Sequence, residues 1–85
     1  MKEKLIIKRG KQNSEEIMIF CQNIKRLREK NELSKKEMAD ILEIGLTSLV
    51  KIEHGIVPPR MGADVIFKTS QYFKIKPHEL FAHLQ

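Results

Sequence analysis

Residues 33–55 read LSKKEMADILEIGLTSLVKIEHG, and this stretch decides the fold. Ser34 is a good N-cap, and Glu37 three residues on completes a capping box, in which each end of the pair satisfies a backbone N–H of the other. A helix therefore begins at Lys35. Met38, Ala39, Ile41 and Leu42 recur as one buried helical face, and Ala39 is small enough to let a second helix cross close against it. Glu43 to Gly45 forms a tight turn, Gly45 being a weak helix former but an acceptable cap. From Leu46 to His54, Leu49, Ile52 and Glu53 fall on one side while Thr47, Lys51 and His54 fall on the other. The second helix thus has a packed face and a polar, free face.

Two short helices joined this way have the layout of a helix-turn-helix. Its second helix lies in the DNA major groove and presents its N-terminal residues to base edges. From about Asn23 to Phe81 the chain resembles the Cro and phage-repressor family, also called the XRE family. The elements that carry the resemblance are LSKKEMADIL (33–42), the apolar Leu49 and Ile52, IEHG (52–55), a Pro-containing loop and the closing KIKPHELF (74–81). The resemblance implies an all-α, five-helix lambda-repressor-like DNA-binding domain, acting as a repressor that binds operator DNA as a homodimer. It also implies that Arg28 and Glu53 pair and fix the angle between their helices. Three residues depart from the family pattern. Glu43 stands where a turn glycine is common, Gly45 where a Ser or Thr cap is common, and Leu46 where a polar residue usually opens the recognition helix.

Size and charge agree with this reading. Eighty-five residues with 41% hydrophobic content leave room for one small domain and no separate catalytic or ligand-binding one. Abundant Lys, Glu, Ile and Leu with four Gly and three Pro favour helix. The formal charge of +5 makes an anionic partner plausible, nucleic acid being the commonest for so small and basic a chain. The lone Cys21 excludes an intrachain disulfide and fits a reducing cytoplasm. Leu5-Ile6-Ile7 is too short and too flanked by charge to be a membrane span or signal peptide.

Two units are expected along the chain, an arm at residues 1–13 and the DNA-binding domain at 14–85. Lys4 to Arg9 reads either as a short dimer-forming strand or as a frayed basic terminus, ended by Gly10. Ser14, followed by Glu15 and Glu16, reads as the N-cap of a first helix buried through Ile17, Phe20, Cys21, Ile24 and Leu27, with Asn31 as its stop. Pro58-Pro59 makes a rigid connector. Val65, Ile66, Thr69, Ser70 and Phe73 form the inner face of a helix over 63–73. Pro77 opens a last short helix through Leu80, Phe81 and Leu84. The four Phe and Tyr72 lie mostly at helical spacing and are expected in the core.

Position by position, the resemblance places DNA contacts at Leu46, Thr47, Ser48, Lys51 and Arg60, and the start of the first helix of the pair adds Lys35. Thr47 and Ser48 can hydrogen-bond base edges or phosphates, and Lys51 suits a guanine edge or a phosphate. Leu46 with Val50 makes a small apolar strip that suits thymine methyl groups or, equally, packs on the protein body or a partner. Lys35 beside the amides at its helix start suits a phosphate, and Lys36 shares that basic face. Arg60 is either a backbone contact or a loop charge.

Catalysis is not expected. His54, His78 and His83 lack metal-site spacing, Cys21 has no nucleophile pattern around it, and no glycine-rich phosphate loop or nucleophile elbow is present. No metal or cofactor is implied. Two functions remain: a DNA-binding regulator, or a protein-interaction module on the same fold, such as an antitoxin or accessory subunit. For dimerisation the candidate surfaces are Phe81 with Leu84, or Leu5 to Ile7.

Overall fold

The computed structural model describes residues 2–58 and 60–82, with side chains from Glu15 onward. Four α-helices, α1 (Lys2–Lys30), α2 (Lys35–Leu42), α3 (Leu46–Glu53) and α4 (Gly62–Phe73), precede a 3-10 turn at Pro77–Phe81. The architecture is all-helical, as expected, but the fifth helix is a 3-10 segment. Pro77 sets its first turn, and the Lys76 N–H donates to Glu79 Oε1 at 2.9 Å. Leu84 lies outside the described residues.

At the front, α1 runs through Gly10 and Ser14 instead of starting there. The backbone at Lys4 to Arg9, read as either a short strand or a frayed basic terminus, is helical, and Ser14 is not a cap. The described residues contain no strand for an isolated extended segment to pair with, whereas the Lys- and Glu-rich surroundings are good helix formers. At its other end α1 stops where expected. Asn31 Nδ2 donates to Leu27 O at 2.8 Å, and Glu32 turns left-handed at φ 56°.

The core is one cluster built from every helix. Phe20, Cys21 and Ile24 come from α1, Met38, Ala39 and Leu42 from α2, Leu49 and Ile52 from α3, Val65 from α4 and Leu80 from the 3-10 turn. Burying each of the larger side chains contributes about 1.5–3 kcal/mol relative to leaving it exposed. α2 packs on both α3 and α4, while α1 backs α3 and the 3-10 turn. A polar tether closes the far end. Asn23 is 3% exposed, and its Nδ2 donates to Leu80 O at 2.7 Å and Ala82 O at 2.6 Å. Phe81 stacks on Phe20 with ring centroids 5.4 Å apart, which ties this surface into the protein while leaving Phe81 38% exposed.

Three aromatic expectations are corrected, Phe81 being the exposed ring that stacks on Phe20. Phe20 is buried and Phe73 packs against the core, but Phe67 is 59% and Tyr72 57% exposed. On α4 the inner line is Val65, Thr69 and Phe73, and Phe67 projects from the opposite side. Tyr72 sits nearer the inner line but borders an open cleft with Ile41, Glu43, Lys68 and Gln71.

Candidate nucleic-acid interface

The local chemistry of α2 begins at its cap. Ser34 Oγ accepts the Glu37 N–H at 3.0 Å, and Glu37 Oε1 accepts the Ser34 N–H at 2.7 Å, the reciprocal box read from the sequence. This occupies the amides of Ser34 and Glu37 at the helix start and puts a carboxylate there. A phosphate at this end would therefore meet chiefly the exposed side chain of Lys35, with Lys36 exposed beside it.

The turn keeps its shape without the glycine common in the resembled family. Glu43 takes the left-handed conformation (φ 57°, ψ 43°), with its N–H directed at Ala39 O and Asp40 O. Such a conformation costs a β-carbon-bearing residue about 1–2 kcal/mol. Lys68 of α4 holds the Glu43 carboxylate at 2.7 Å, and Ile44 packs against the core, so the turn is fixed from both sides. Gly45 then caps α3 in extended backbone (φ −70°, ψ 155°) with no side-chain cap bond.

α3 is held from behind. Leu49 and Ile52 are fully buried, and Glu53 is 3% exposed at its side chain. Arg28 Nε donates to Glu53 Oε2 at 2.6 Å, Arg28 Nη2 to Glu53 Oε1 at 3.1 Å, and Arg28 Nη1 to Leu33 O at 3.1 Å. One guanidinium thus joins α1, the start of the helix-turn-helix and the end of α3. The hydrogen bond to Glu53 holds the Arg28 pKa above its ordinary value, assisted by the charges of Glu53 and Glu29 and opposed by burial. The pair implied by the resemblance is present in two-pronged form.

With that face buried, Thr47, Lys51 and His54 are exposed on the opposite side. Leu46, 48% exposed, and the half-buried Val50 flank them on one edge, and half-buried Ser48 lies on the other. Arg60 is exposed in the connector to α4, in left-handed backbone at φ 68°; Pro59 lies outside the described residues. Of the six candidate contacts, four are therefore contributed by α3, Lys35 by the first turn of α2, and Arg60 by the loop that follows α3. Gly55, at φ 93°, ends α3 as expected and passes the chain into that loop.

One residue belongs with this set that sequence reasoning placed on the free face without nominating it as a contact. His54 is exposed beside Thr47 and Lys51, its Nδ1 2.7 Å from Val50 O. The signal was its helical spacing from Lys51 and Thr47.

No helix among the described residues is long and apolar enough to cross a membrane. A family model described as a helix-turn-helix domain matches residues 21–83. No curated protein and no solved structure gives a significant match.

Proposed function

The chain belongs to the helix-turn-helix domain family, and from that premise we propose that it is a sequence-specific DNA-binding regulator of the Cro and phage-repressor type. The observation that carries this is the state of α3. Its inner face is locked by Leu49, Ile52 and the Arg28–Glu53 pair, while Thr47 and Lys51 stand exposed on the outer face. A helix held so firmly and left so open is suited to entering a major groove. In this reading Thr47, Ser48 and Lys51 meet base edges, Leu46 lies beside them, and Lys35 and Arg60 neutralise phosphates. The protein works in the cytoplasm as a repressor, and two copies place their α3 helices about 34 Å apart over successive major grooves.

The division of labour is testable by alanine substitution. Thr47→Ala and Lys51→Ala should change which duplexes are preferred, each by about 1–3 kcal/mol at the affected base pair. Lys35→Ala should weaken all duplexes nearly equally and lower the salt slope by about one unit. A uniform loss from all three variants would contradict the assignment.

A second reading draws on one observation, the exposure of Leu46 at the opening of α3. A protein-interaction module, such as an antitoxin or accessory subunit, would use Leu46 and Val50 to bind a protein partner. It predicts that Leu46→Ala abolishes partner capture while DNA retention shows no sequence preference.

A further inference from the structure

We propose that Leu46 reads the C5-methyl group of thymine, so that the preferred duplex carries a thymine facing the first turn of α3. This rests on the DNA-binding reading above and specifies the chemistry of its site.

The first turn of α3 offers few groups that discriminate between bases. Thr47 and Ser48 carry hydroxyls, which donate and accept and so satisfy several base edges. This turn has no Asn, Gln or Arg to make a two-pronged contact with adenine or guanine. What it does present is Leu46, 48% exposed at the first position of the helix and without hydrogen-bonding capacity. Val50, one turn later on the same edge, extends the apolar strip and is itself half-buried. A β-carbon at Gly45 would meet nothing within 4 Å, so the space beside Leu46 at the helix start is open.

The major-groove edge of DNA carries one apolar group, the methyl of thymine. Leu46 laid against it removes apolar surface from water on both sides. Laid against the cytosine or adenine amino group, the same side chain would strip water from a donor and return no acceptor. Attraction and exclusion therefore select the same base, which is how an apolar residue acquires specificity.

Deoxyuridine is the probe, because it keeps the hydrogen-bonding edge of thymine and lacks only the methyl. Duplexes retained by the purified full chain from a randomised pool are resynthesised with each thymine replaced in turn, and binding is measured for the wild type and Leu46→Ala. The expected result is one thymine per half-site whose replacement weakens wild-type binding about four-fold, corresponding to about 0.8 kcal/mol for one buried methyl. The Leu46→Ala protein should be indifferent to that same replacement. Leu46 is half-exposed, so the variant should fold, and a thermal melt checks this. The inference is overturned if no thymine is sensitive, or if the sensitive one remains equally sensitive in Leu46→Ala. A pool from which nothing is enriched would refute the DNA-reading proposal itself, before any methyl is removed.

Discussion

Removing the carboxylate of Glu53 should strongly destabilise the helix-turn-helix. In the folded protein Arg28 is 12% exposed at its side chain and Glu53 3%, and two hydrogen bonds of 2.6 and 3.1 Å join them. Glu53→Ala would leave a guanidinium largely enclosed with Leu33 O at 3.1 Å as a retained partner; Glu29 is 3.9 Å away and exposed. Breaking a buried pair from one side costs about 3–5 kcal/mol, because the remaining charge is desolvated without compensation. For a domain of this size that is a large share of a total stability of about 5–15 kcal/mol. Replacing both partners, as in Arg28→Met with Glu53→Leu, should recover much of the loss, since no charge is then stranded. The assay is urea unfolding followed by far-UV circular dichroism for the wild type, Glu53→Ala, and the cycle of Arg28→Met, Glu53→Leu and their double variant. The expected coupling energy exceeds about 1.5 kcal/mol. A Glu53→Ala loss below about 1 kcal/mol, or additive single losses, would refute the view that this pair anchors α3.

Three further outcomes follow from the same structure. Asn23→Ala removes two donors from Leu80 O and Ala82 O and should cost about 2–3 kcal/mol in urea unfolding, the C-terminal 3-10 turn losing amide protection first. Gly45→Ser supplies the missing side-chain cap in a backbone conformation that suits it and in open space, so the melting midpoint should rise by a few degrees, corresponding to about 0.5–1 kcal/mol. Burial pushes the Cys21 thiol up to about 11 from 9.0, so the folded state holds that proton longer than the unfolded chain. Below pH 9 this contribution to stability is fully present. It should fade as pH rises from about 9 to 11, by on the order of 2 kcal/mol, and Cys21→Ala should flatten that part of the pH profile.

Much of this arrangement is legible in the sequence. Ser34 and Glu37 are three residues apart, so their capping box is a local event that the sequence alone discloses. The buried faces of α2 and α3 followed from helical spacing because both helices pack along one side only. Arg28 and Glu53, 25 residues apart, were reachable through resemblance to a family in which such a pair recurs. Asn23 was not reachable, because its acceptors are the backbone carbonyls of Leu80 and Ala82, which become partners only when the chain returns to α1. Phe67 and Tyr72 misled because aromatic character suggested burial while their positions fall off the inner line of Val65, Thr69 and Phe73. Leu5-Ile6-Ile7 left strand and frayed terminus open for another reason. A short apolar run fits strand and helix alike, and the neighbouring lysines and glutamates decide it.

The departures at the turn show how a rule can be broken and compensated. Glu43 accepts the left-handed geometry usually left to glycine, with Lys68 gripping its carboxylate and Ile44 anchoring the next residue. The exposed ion pair is worth little by itself, so most of the compensation comes from packing.

The most direct test of the central claim is a randomised-duplex selection with the purified protein at near-physiological salt. Sequence-specific reading by a dimer predicts enrichment of an inverted repeat with half-sites about one helical turn apart. Weak, salt-sensitive retention with no enriched sequence would contradict it and leave the basic charge as a generic attraction for polyanions.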